Sequence, residues 1–237
     1  MIPFHDENAV RPAVPFINYG LILINFVAFF VELSQPTQQA LNDFLARYAV
    51  IPADISSGHN LYTLITSQFL HGGWMHILGN MLYLWIFGDN VEGALGHIKY
   101  LIFYLGAGII AGLAQVIIDP GSTVPSLGAS GAIAGVLGAY LVMFPHARVN
   151  TLIFVGIFFF FTRLTAVIVI GFWAVLQFFS GFAEISQRTA QTGDGGVAYW
   201  AHIGGFITGV IVGFAVNQLV RPNRANWGGV DNYRTRY

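Results

Sequence analysis

YWAHIGGFITGVIVGFAVNQLV, residues 199–220, runs without a charged side chain and carries one histidine near its start, with glycines at 204, 205, 209 and 213. A bilayer core of roughly 30 Å takes about 20 apolar residues at 1.5 Å each, so this stretch reads as a membrane-spanning helix. Five more stretches meet the same measure: 16–33, 74–91, 98–118, 129–145 and 164–183. Of the 237 residues 55% are hydrophobic and 9% charged, about a third of the charge a soluble domain carries. Most of the chain therefore needs lipid as its solvent. The expected fold is an all-α polytopic bundle of six transmembrane helices, forming a single membrane domain over residues 1–237.

Composition also removes several classes of function. Net charge is -1 with no extended basic run, which leaves no footprint for nucleic acid. With Cys 0 there is no disulfide framework and no thiolate for catalysis or zinc. The polar residues 1–15 are followed by an apolar stretch with no A-x-A-like cleavage site, so the first helix is expected to stay uncleaved. A shorter apolar piece, 151–161, cannot cross and is followed by Arg163; it is expected to be interfacial or re-entrant.

Lys and Arg collect on the cytoplasmic side of membrane proteins. With the N-terminus inside, the inner segments hold Arg11, Lys99, Arg148, Arg163, Arg221, Arg224, Arg234 and Arg236, and only Arg47 and Arg188 face out. Both termini are then cytoplasmic, and the second, fourth and sixth spans enter from the outer face. Residues 34–73 form a long outer loop whose Leu41, Phe44, Leu45 and Tyr48 recur at helical spacing, as in a segment lying on the membrane surface.

Against this background a few polar residues stand out near the outer ends of spans: His71, His76, Asn80, Ser130 and His202. Polar side chains at such depth are expensive and mark functional sites, although either His76 or Asn80 alone could simply bind neighbouring helices together. Those two lie four residues apart, on one helix face. Ser130 stands in Gly128-Ala129-Ser130-Gly131 at the start of a span of only about 16 residues, roughly 24 Å. Its start should lie below the outer surface, with the loop 119–129 dipping in and water nearby. On the sixth span His202, Gly209 and Gly213 fall within about 20° of one line. Ser130, Ala134 and Gly138 offer a matching strip of small residues on the fourth, so the two backbones can approach closely.

A serine hydroxyl becomes nucleophilic when a histidine in hydrogen-bond reach removes its proton. Ser130 and His202 are the candidates. His76, Asn80 and the Ser130 amide at a helix N-terminus are suited to stabilise the oxyanion that follows. No Asp or Glu falls near His202 within the spans, which points to a dyad.

The order and placement of His71-x4-His76-x3-Asn80, Gly128-x-Ser130-Gly131 and Ala201-His202-x2-Gly205-x3-Gly209 resemble the rhomboid intramembrane serine proteases over nearly the whole chain. The resemblance implies a Ser130 nucleophile, a His202 base and oxyanion help from His76 and Asn80. It also implies close helix packing at Gly131, Gly205 and Gly209, no metal and no cofactor. Substrates would be single-pass transmembrane proteins cut near the outer ends of their spans, in a multi-pass protein of a prokaryotic plasma membrane in contact with lipid. Lateral access would be controlled by residues 34–73 and by the fifth span around Trp173 and Gln177. Two positions depart from the family pattern. Leu61-Tyr62-Thr63 stands where many relatives have a Trp-Arg pair, and Ala134 stands where a larger aromatic often packs on the histidine.

Other readings fare worse. A catalytically inactive rhomboid-like binding module would have lost the serine or the histidine, and both are present. A transporter would need mid-membrane charges on an inverted repeat. A zinc protease would need His-Glu-x-x-His, and an aspartyl protease two intramembrane aspartates, whereas Asp89 and Asp119 lie at opposite ends of their helices.

Overall fold

A computed structural model describes residues 1–6, 14–188 and 198–220. Arg11, Arg221, Arg224, Arg234 and Arg236 lie outside the described residues, as does the side chain of Arg188, so the basic residues that can be located are Arg47, Lys99, Arg148 and Arg163.

All six expected stretches are helical. They are α1 (Phe16–Leu33), α5 (Trp74–Leu95), α6 (His97–Ile118), α7 (Ser130–Met143), α8 (Ala166–Arg188) and α9 (Tyr199–Val220). By length and apolar composition three can cross a membrane among the described residues: α1, α6 and the Tyr199–Gln218 part of α9. Of the other three, α5 is long enough but is interrupted by polar residues, among them His76, Asn80, Asp89 and Glu92, and α7 has 14 residues, or about 21 Å, while the side chains of α8 are described only as far as Gly181.

The outer loop folds into α2 (Gln38–Tyr48), the short α3 (Pro52–Ser56) and α4 (Thr63–Thr66), and a 3-10 turn at Ser67–Phe69. Thr37 caps α2 by accepting the Ala40 N–H at 3.1 Å. Leu41, Phe44, Leu45 and Tyr48 form its half-buried side while most of the rest is exposed, as the spacing led one to expect. At Leu61-Tyr62-Thr63, where the sequence departs from the expected pattern, Tyr62 Oη donates to the Arg47 carbonyl at 2.8 Å and ties α4 to α2. Farther on, Gln68 Nε2 reaches across to the Leu105 carbonyl of α6 at 3.2 Å.

The expectation of an all-α chain needs correction. Three strands, β1 (Ile2–Asp6), β2 (Arg148–Val155) and β3 (Phe158–Thr165), form an antiparallel sheet in the order β1-β2-β3. The stretch 151–161 is therefore most of a hairpin, with Val155 paired to Phe158 and Gly156 at φ 60 turning the chain. Valine, isoleucine, threonine and phenylalanine suit extended backbone, and glycine reaches positive φ without a Cβ clash. A short apolar run does not by periodicity alone distinguish strand from helix.

β1 is fastened to the bundle by Asp6, whose carboxylate accepts from Asn90 Nδ2 at 2.8 Å and Tyr140 Oη at 2.6 Å. Glu92 accepts the N–H groups of Ile17 and Asn18 at 3.1 and 2.8 Å and pairs with His97. It thereby caps the start of α1, which Pro15 leaves without a side-chain cap. Lys99, Arg148 and Arg163 belong to this end of the bundle, whereas Arg47 belongs to the other. α7 runs through the middle, with Gly131 to Tyr140 buried without a break.

Candidate active site

The chain enters α7 through Gly128, whose N–H donates to the Ser67 carbonyl at 2.9 Å and whose φ is +127. Only glycine adopts that conformation freely, and space demands it as well. A Cβ there would lie 2.8 Å from His76 Cε1 and 2.9 Å from Nε2, and 3.5 Å from Ser130 Oγ. The His76 ring thus lies directly against the backbone that delivers Ser130, the first residue of α7.

α9 packs backbone to backbone on α7. A Cβ at Gly205 would overlap the Gly131 carbonyl, and one at Gly209 would overlap the Gly135 carbonyl. One at Gly138 would overlap the Phe206 carbonyl. The contact line on α7 runs through Gly131, Gly135 and Gly138, so the expected strip of Ser130, Ala134 and Gly138 is rotated by one position in its first two members. Ala134 flanks the line at 3.4 Å from the Gly205 Cβ position. This small turn matters, because it places Ser130 beside the α9 backbone and within reach of its histidine.

His202 Nε2 lies 2.7 Å from Ser130 Oγ. The other ring nitrogen, Nδ1, lies 2.7 Å from Gln177 Oε1 of α8. One turn earlier on α8, the Trp173 ring sits 6.0 Å from the imidazole at 39° and 6.0 Å from the Phe206 ring. Trp173 and Gln177, expected at a lateral gate, both touch the histidine. Trp173 supplies from α8 the aromatic contact that Ala134, fully buried, cannot supply from α7. The Gln177 contact escaped sequence reasoning, although one signal was present. It is a single amide in an uncharged stretch, four residues beyond a tryptophan and so on the same helix face.

His76 of α5 accepts the Gly72 N–H on Nδ1 at 3.3 Å, so in the neutral ring the hydrogen is on Nε2, the side that faces Gly128. Asn80 is buried and its Nδ2 has no partner among the described residues. His71 lies just behind, its ring 5.1 Å from that of His76 and its N–H held by the Glu32 carboxylate. Burial foremost, and His76 next, push the His71 pKa down to about 4, so His71 is neutral at ordinary pH. A hydroxyl with a base at 2.7 Å, beside an unpaired buried amide and an imidazole N–H, is an arrangement able to carry out acyl transfer.

A family model described as "Rhomboid domain" matches residues 58–219. Rhomboid protein 1, mitochondrial, of Saccharomyces cerevisiae is 29% identical over 187 residues, 76% of this chain and 49% of that protein. The putative rhomboid protease YdcA of Bacillus subtilis is 36% identical over 105 residues, 41% of this chain and 52% of that protein. The rhomboid protease GluP of the same organism is 33% identical over 167 residues, 70% of this chain and 28% of that protein. The chain thus spans about half the length, or less, of these curated relatives. Because a mitochondrial protein stands among them beside bacterial ones, the expected prokaryotic plasma membrane is not borne out; a membrane location is.

Proposed function

The chain belongs to the rhomboid family of membrane proteins, and on that premise we propose that it is an intramembrane serine endopeptidase acting through Ser130 and His202. The observation that carries this reading is the 2.7 Å contact between Ser130 Oγ and His202 Nε2. As Oγ attacks the scissile carbonyl, Nε2 takes the hydroxyl proton and later delivers it to the leaving amine. The carbonyl oxygen becomes an oxyanion that the Ser130 amide, His76 Nε2–H and Asn80 Nδ2 are suited to hold, each such donor being worth about a hundredfold to a thousandfold in rate. Water then attacks the acyl-enzyme with His202 again as base, and Ser130 is released.

In this reading residues 1–237 form one membrane domain with six spans. The end bearing Lys99, Arg148 and Arg163 faces the cytoplasm or its equivalent, and both termini lie on that side. α7 is shorter than a bilayer core by about 9 Å, so Ser130 at its start lies below the opposite surface, within reach of water. The substrates are transmembrane proteins cut near the outer ends of their spans, entering past α8 and residues 34–73. The test is cleavage of a single-pass substrate in reconstituted vesicles. Ser130→Ala and His202→Ala are each expected to abolish it while the protein still folds, and cleavage retained in both would refute the mechanism.

A further inference from the structure

A serine hydroxyl gives up its proton only to a ring nitrogen with a free lone pair, and a neutral imidazole has one such nitrogen. The partner of the other nitrogen decides which it is. His202 Nδ1 lies 2.7 Å from Gln177 Oε1, and a carboxamide oxygen accepts but never donates, so the hydrogen is on Nδ1. Nε2, at 2.7 Å from Ser130 Oγ, is then left as the acceptor.

We propose that Gln177 is a positioning residue that locks His202 in the Nδ1–H tautomer and sets the ring so that its Nε2 lone pair faces Ser130. The proposal rests on the dyad reading and adds a neutral third member from a different helix. Three features of the site support it. His202 is 9% exposed, so water competes little for Nδ1. Trp173, one turn away on the same face of α8, packs on the ring and holds that face toward α9. A carboxamide accepts this hydrogen while leaving the site without a charge in the resting state. A carboxamide turned end for end would present its NH2 to Nδ1 and leave the imidazole hydrogen pointing at Ser130, where the ring is no base. Glutamate at this position presents acceptors either way round.

The experiment uses the full chain in lipid nanodiscs, with cleavage kinetics against pH and 15N spectra of the His202 ring nitrogens. The unaltered chain is expected to show a protonated Nδ1 and an unprotonated Nε2, and Gln177→Leu a mixture of the two tautomers. Gln177→Leu should lower kcat about tenfold, the size of one neutral hydrogen bond, with KM within about twofold. Gln177→Glu should restore kcat and move the acid limb of the rate profile to higher pH, because a carboxylate favours the charged imidazole. The proposal is overturned by an Nε2–H tautomer in the unaltered chain, or by kcat and acid limb unmoved in both variants. A change in KM alone also overturns it, and would assign Gln177 to substrate entry. Should the unaltered chain cleave no faster than Ser130→Ala while the tautomer still follows Gln177, the hydrolase reading fails and the lock stands.

Discussion

The two ends of the bundle hold comparable sets of buried polar side chains and treat them in opposite ways. At the end where α1 begins, Asp6, Asn18, Asn90, Glu92, Tyr100 and Tyr140 come from five elements and bond to one another or to backbone. Tyr100 Oη, for example, donates to Asn18 Oδ1 at 2.8 Å, and Asn18 Nδ2 to the Leu84 carbonyl at 3.0 Å. At the end where α7 begins, Asn80 Nδ2, Gln68 Oε1 and Gln115 Oε1 are buried without partners among the described residues. Buried polar groups are nearly always paired, so a set of unpaired ones is expensive and needs a reason. The closed network serves to hold elements together. Within the open set the Asn80 Nδ2 donor is suited to a group that arrives with the substrate, such as a developing oxyanion.

That contrast can be broken, and the largest effect expected is on rate. His202→Ala should reduce cleavage on the order of a millionfold, as removing one member of such a unit does elsewhere, while Tyr140→Phe at the closed end leaves the rate per folded molecule unchanged. Equal losses of rate in both would show that the two ends act as one system.

Asn80→Ala is expected next in size, lowering kcat about a hundredfold to a thousandfold. Since this removes a donor that has no partner, thermal stability in detergent should hold or rise. A fall in melting temperature with an unchanged rate would move Asn80 into the structural set.

Asp6→Ala reverses that pattern. It takes from Tyr140 the acceptor of its hydroxyl and from Asn90 one of its partners, which costs about 1–3 kcal/mol, and should appear as a lower melting temperature with turnover per folded molecule intact.

The smallest effect is a pH dependence of opposite sign at the two ends. His71 is held at about 4 in the fold against 6.5 when unfolded. Between those values the unfolded chain binds the extra proton, so stability falls as pH is lowered through that window. Burial raises the Asp6 pKa instead, against the smaller lowering effect of Tyr140. Its contribution is complete at low pH and is lost as pH rises through its folded value. Melting curves should lose stability on acidification less steeply in His71→Phe than in the unaltered chain. Identical slopes would remove His71 from the titrating set.

Hydropathy and helical spacing were enough to find the solvent, the six helical stretches and the serine and histidine that meet. Each of these follows from hydrophobic runs, or from residues within one helix whose spacing sets their face. The glycines of α9 even announced a close neighbour, though not that Gly131 and Gly135, in place of Ser130 and Ala134, form the contact line with Gly138. Packing across the whole fold was needed to show that 148–165 is a hairpin joined by β1, that Asp6 fastens that sheet to Asn90 and Tyr140, and that Gln177 meets the second nitrogen of His202. The physical reason is range. A helix face is set by a period of 3.6 residues, but a hydrogen bond between side chains 25, 84 or 134 positions apart depends on how whole elements pack, which no local pattern encodes.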